Sequence, residues 1–182
     1  KIFNDFYFGG DPEGNPKNWS GYIKNEPLLV SKELFDEITA NNCSWGFISG
    51  AERSSAKFIL EDRLGLEDPP LIAMGDAPEK PNPNGLIHLA EQIIGKKLGL
   101  KEEQVPIAYL GDTVADILTI EKAKELIPKQ NFLSLGLAPP HLHSLGNKFK
   151  RDDYESSLKK AGADKILDST LEIIDLARQW NI

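Results

Sequence analysis

From Leu28 onward the apolar residues recur in two alternating textures, short unbroken runs and longer stretches in which they return every three to four positions. The unbroken runs read as strands. They are Trp45 to Ser49, Leu71 to Met74, Ile107 to Leu110 and Phe132 to Leu135, with Lys165 to Leu167 as a short last one. The stretches between them carry helix signals. Ser31 caps a segment through Asn41 whose apolar face is Leu34, Phe35 and Ile38, and Arg53 to Leu64 is closed by Gly65. Leu86 to Leu98 follows a Pro81–Pro83 break, and Val114 to Leu126, Tyr154 to Lys160 and Thr170 to Trp180 complete the series. Strands alternating with helices across short turns imply parallel pairing with right-handed crossovers, so the expected fold class is α/β, a doubly wound parallel sheet. Residues 1–27 differ. They are rich in Gly, Asn, Pro and aromatics, with turns at Gly9-Gly10, Asp11-Pro12 and Gly14-Asn15-Pro16, and read as an irregular arm before a core at 28–182.

Composition narrows the function classes. The 182 residues are 40% hydrophobic and 27% charged, values of an ordinary folded domain, and the net charge of −7 argues against a nucleic-acid surface. The one basic run, Lys148 to Arg151, is followed at once by Asp152 and Asp153 and reads as a solvated turn. Cys43 is the only cysteine, which excludes an internal disulfide and fits a reducing, cytoplasmic setting. No apolar stretch approaches the roughly twenty residues that span a bilayer, so membrane insertion is not expected.

The candidate chemistry sits where strands end. Ala108-Tyr109-Leu110-Gly111-Asp112-Thr113-Val114-Ala115-Asp116 places two carboxylates about one helical turn apart at a strand's carboxyl end, where open α/β sheets bind ligands. Such a pair repels itself, and a hard cation relieves it. Mg²⁺ suits best because it needs few protein ligands and keeps water or phosphate oxygens in its shell. The plain alternative is a helix-capping Asp and a solvated Asp in the first turn. Two further strand ends tilt the balance, because a parallel sheet brings all three to one edge. Phe47-Ile48-Ser49-Gly50-Ala51 offers the Ser49 hydroxyl and the amides of Gly50 and Ala51 for phosphoryl oxygens, and Lys80 ahead of Pro81 offers a positive charge. A hydroxyl, a lysine and a metal-binding pair describe phosphoryl transfer. His141 and His143 have no evident third ligand and read as part of a Pro-led loop, while His88 reads as a partly buried side chain. Arg53 is within loop reach of the phosphate position but reads as surface, and Trp19, Tyr22 and Trp45 read as core or interface aromatics.

In order and spacing these motifs resemble the second, third and fourth motifs of the haloacid dehalogenase-like (HAD) hydrolase superfamily, over roughly Leu28 to Trp180. The run Gly162-Ala163-Asp164-Lys165-Ile166-Leu167-Asp168-Ser169 is similar to the late strand and turn of phosphoglycolate phosphatase-like members. The resemblance implies that Ser49 binds the phosphoryl group, Lys80 stabilises charge, and Asp112 ligates Mg²⁺ with Asp116 assisting directly or through water. It leaves Thr113 to shape the metal loop.

One departure matters as much. The family's first motif, an Asp-x-Asp that ends its first strand and supplies nucleophile and general acid, does not occur; Asn4-Asp5-Phe6-Tyr7 lacks the second carboxylate, and Asp11 precedes Pro12. The resemblance therefore implies a HAD-like Rossmannoid core whose first strand and most of whose cap are missing from this chain, with residues 1–27 as the remnant of a cap-to-core linker. Residue 1 is Lys, which fits a segment of a longer protein. The expected function is a Mg²⁺-dependent phosphatase that hydrolyses a small phosphorylated metabolite through a phosphoaspartate formed upstream, with the segment alone inactive. The alternative is a non-catalytic HAD-like binding or assembly module, with a protein partner covering the exposed sheet.

Overall fold

A computed structural model describes residues 2–99 and 105–180, and its architecture is α/β with every strand pair parallel. The strands fall into two sheets. The first pairs β1 (Phe47–Ile48) with β2 (Leu71–Ile72); the second runs in the order β3 (Ile107–Gly111), β4 (Phe132–Leu137), β5 (Lys165–Leu167). Register in the second sheet is Ile107 opposite Phe132 through Gly111 opposite Gly136, then Leu135 opposite Lys165.

The helices are α1 (Ile2–Tyr7), α2 (Lys32–Ala40), α3 (Arg53–Lys57), α4 (Asn84–His88), α5 (Val114–Leu126), α6 (Lys148–Ala161) and α7 (Glu172–Trp180). Both α3 and α4 continue into π-helical stretches, Phe58–Arg63 and Leu89–Ile93. Among the described residues no helix is long and apolar enough to cross a membrane.

Each expected strand and helix of the core is present, with shifted ends. The strand expected over Trp45–Ser49 is laddered only at Phe47 and Ile48, and α6 begins six residues before the expected Tyr154. Lys148 to Arg151, expected as a solvated turn, is the first turn of this helix; its lone apolar residue, Phe149, is exposed, so the run carries no apolar period to read. The arm is less irregular than its composition suggests. Its α1 precedes a small cluster in which Phe8, Trp19 and Ile23 pack on Phe58, and the Trp19 indole donates to the Asp11 carbonyl. Arg63 holds the far end of the arm by donating to the Ile23 and Glu26 carbonyls.

Side chains of β3 alternate between two covering layers. Ile107 and Tyr109 pack with Leu86 of α4 and Ile120 and Ala123 of α5, whereas Ala108 and Leu110 pack with Leu135, Leu167 and the α7 residues Ile173 and Leu176. That is the doubly wound arrangement, helices on both faces. The Asp164 carboxylate fixes the β4–β5 start by accepting from the Ser134 amide at 2.7 Å and from Lys124 at 2.8 Å.

Candidate functional site

The turn after β3 is built around one close approach. A Cβ on Gly111 would lie 2.1 Å from the Asp116 Cβ, so glycine alone lets the start of α5 fold back against the strand end. Thr113 caps α5. Its hydroxyl accepts from the Asp116 amide while the Asp116 carboxylate accepts from the Thr113 amide at 3.1 Å and hydroxyl at 2.7 Å, a reciprocal capping box. The other Asp116 oxygen accepts from Lys80 Nζ at 2.7 Å and from the Tyr109 hydroxyl at 3.0 Å.

Asp116 is therefore a held group. Its side chain is only 5% exposed, against 25% for Lys80. Burial alone would push its carboxyl up, but Lys80, Thr113 and Tyr109 outweigh that and hold it below the usual carboxylate range. Tyr109 is pushed up by burial and then by the Asp116 charge, so its hydroxyl stays protonated and donating.

Asp112 is different. Burial and then the neighbouring Asp116 charge push its carboxyl up, with Lys80 opposing weakly, which is the electrostatic signature of a carboxylate short of positive charge. Its backbone carbonyl accepts from the Tyr154 hydroxyl of α6 at 2.6 Å. Tyr154 lies outside the motifs read from the sequence, and Tyr109 stands within the Ala108–Asp116 run without a role assigned to its hydroxyl. Tyr109 was legible only as a strand residue, though the period-2 alternation of β3 puts it on the same face as α5.

Lys80, Asp112 and Asp116 line one cavity of about 850 Å³, together with residues of β1, β3, α2, α4 and α7. Lys80 precedes Pro81 across a cis peptide bond. Ser49 is not among the lining residues; it ends β1 beside Ile48, which is, and its hydroxyl accepts from the Ala51 amide at 3.0 Å. That bond engages the Ala51 amide, leaving Gly50, exposed and with open space where a Cβ would stand, as the uncrowded part of the loop. Arg53 does not point into the site, because its guanidinium is bound to Asp76 and donates to the Leu71 carbonyl.

The histidines do not line the cavity. His143 Nε2 bonds the Ala138 carbonyl at 2.8 Å in the loop after β4. His88, expected partly buried, is exposed on α4, because the buried face of that helix is carried by Gly85, Leu86 and Leu89. Among the described residues no cluster of three or more His, Cys, Asp or Glu converges. The oxygen donors at the strand end are thus the Asp112 carboxylate and the already engaged Asp116. Such a sparse, hard set fits Mg²⁺, which retains water ligands, and does not fit zinc.

No protein-family model and no curated protein matches this chain. Among solved structures it is similar to a phosphonoacetaldehyde hydrolase-like protein from Oleispira antarctica, with a TM-score of 0.66 and 16% sequence identity, over 87% of this chain and 59% of that one. The chain thus spans less than two thirds of that neighbour. At this identity the likeness is one of fold, and the phosphoglycolate phosphatase resemblance still rests on Gly162 to Ser169 alone. Two parallel half-sheets flanked by helices, together with that likeness, give the chain an α/β fold of parallel strands and helices like that neighbour's.

Proposed function

We propose that this chain forms the phosphate- and magnesium-binding part of a hydrolase that removes phosphate from a small phosphorylated metabolite, with the nucleophilic aspartate on a segment outside residues 1–182. The observation that carries the reading is the Lys80–Asp116 contact at 2.7 Å beside an Asp112 whose carboxyl burial has pushed up. The structural neighbour, a hydrolase-like protein, agrees with it.

Lys80 presents its ammonium to a phosphoryl oxygen while Asp116 fixes where that charge stands, and Tyr109 and Thr113 fix Asp116 in turn. Orientation is thereby set before substrate arrives, which is how phosphoryl transfer is accelerated. Mg²⁺, held by Asp112 with Asp116 behind it, would supply neutralisation of phosphoryl charge. Ser49 and the Gly50 amide, at the end of β1, would hold the remaining phosphoryl oxygens.

The test is phosphate release from a generic aryl phosphate by the intact native protein. Release that needs Mg²⁺ and falls by about 100-fold or more in Asp112→Asn supports the reading. Activity indifferent to both magnesium and Asp112 contradicts it. The open seam between the two half-sheets favours a second reading, a non-catalytic binding or assembly module, and an intact native protein with no magnesium-dependent release would select it.

A further inference from the structure

The edge of β2 that faces away from β1 is closed by an ion pair. The Phe47 and Ser49 amides donate to the Pro70 and Ile72 carbonyls, so the backbone groups of Leu71 and Ala73 turn to the opposite side. Both residues are engaged there. The Ala73 amide donates to Asp76 Oδ2 at 2.6 Å, and Arg53 Nη2 donates to the Leu71 carbonyl at 3.5 Å. The same Nη2 is bound to the same Asp76 oxygen.

As a source of stability the pair counts for little, because the Arg53 and Asp76 side chains are 48% and 31% exposed. Its place in the chain counts for more. Arg53 lies four residues after Ser49, and Asp76 four residues before Lys80, so one contact ties the turn that leaves β1 to the turn that leaves β2. A backbone path runs beside it, in which the Met74 amide donates to the Ala51 carbonyl at 3.0 Å and the Ala51 amide to the Ser49 hydroxyl at 3.0 Å. Little else holds the first turn. Gly50, Ala51 and Glu52 are exposed, and Glu52, at the start of α3, makes no side-chain capping bond. The second turn is fixed at its far end too, where Lys80 meets Asp116 at 2.7 Å.

We propose that Arg53 and Asp76 are positioning residues for phosphate. Their ion pair sets the separation of the Ser49 turn and Lys80, so that a hydroxyl, an amide and an ammonium can meet one phosphoryl group. Misplacing such groups by about 1 Å costs up to about 100-fold in rate. What Ser49 and Lys80 hold rests on the proposed function; the coupling of the two turns does not.

Two measurements test it. In amide exchange on the 182-residue chain, Arg53→Met is expected to speed exchange at Ala73 and Met74 at least about tenfold and to leave Gly111 unchanged. No change at Ala73 and Met74, or equal acceleration at Gly111, overturns the proposal. In phosphate release from an aryl phosphate by the intact native protein, Arg53→Met is expected to raise KM at least about tenfold, with kcat within about threefold, and to weaken inhibition by inorganic phosphate by the same factor. Arg53→Lys should recover most of both, because one nitrogen makes both contacts and an ammonium can stand in its place. The Arg53→Met/Asp76→Asn double variant, which removes the stranded charge without restoring the tie, should recover neither. A lower kcat at unchanged KM, or recovery in the double variant, marks a merely structural pair and overturns the proposal. Faster exchange at Ala73 and Met74 in Arg53→Met, with no phosphate release by the unsubstituted protein, rejects the proposed function and upholds the coupling of the turns.

Discussion

The two half-sheets differ in how much of their order is internal. In the β3–β4–β5 half, five residues of β3 are in register with β4, and β4 is buried along nearly its whole length between helices. In the β1–β2 half the ladder is two residues long, and its core is formed mainly by α2, the α3 stretch and α7 around Leu34, Phe35 and Leu60. The lesson is that the larger half is a sheet that holds its helices, while the smaller is a helical cluster that holds a scrap of sheet. Lys80 and Asp116 join them, one from each half, at the rim where the chemistry stands.

Breaking the larger half should have the greatest effect. Gly111→Ala would force a methyl into the Asp116 Cβ, and the start of α5 would have to move; a loss of about 3 kcal/mol or more in urea unfolding is expected. A loss below about 1 kcal/mol would mean the turn is looser than its geometry. Next comes the joint between the halves. Lys80→Met leaves a buried carboxylate unpaired and should cost about 2–3 kcal/mol, and the Lys80→Met/Asp116→Asn double variant should show coupling of about 1–3 kcal/mol. Additive effects would mean the halves are not joined there.

Asp112→Asn should sharpen the contrast by doing little to stability, within about 1 kcal/mol and in the stabilising direction, while abolishing Mg²⁺ binding measured by calorimetry. The two carboxylates also part in pH. Asp116 is held below its ordinary value of about 4, so its contribution is complete above that value and is lost as pH falls through the lower folded one. Asp112 is raised, so the folded state takes up its proton first; stability gains slightly as pH falls through the raised value, and cation affinity drops over the same fall. Opposite-signed shifts of the two carboxyl signals in NMR titration would bear this out, and shifts of one sign would refute it. The smallest effect belongs to Tyr154→Phe, which removes a hydrogen bond to the Asp112 carbonyl and should cost about 1 kcal/mol or less.

Much of the larger half could be read directly, because its signals are local: an apolar run, Gly111 and the helix-compatible stretch of α5 lie consecutively in the chain. The pairing of Lys80 with Asp116 crosses 36 residues and depends on tertiary packing, so residue types suggested a shared site without showing that Asp116 is held in a capping box and an ion pair at once. Asp116 was expected as a cation ligand, and its capping partner Thr113 was noted only as shaping the loop. Tyr154 was hidden for another reason, since it comes from α6 and its hydroxyl meets a backbone carbonyl, which leaves no trace in side-chain chemistry. The short helix of the arm escaped because Gly and Pro dominate the residues that follow it, while its own six residues are too few to show a period.

The central claim is an open seam between two parallel half-sheets, and amide exchange along β3 of the 182-residue chain tests it most directly. Tyr109 and Gly111, turned toward β4, should exchange slowly, and Ala108 and Leu110, turned into the seam, should exchange at least about tenfold faster. Equal protection at all four positions would contradict the account.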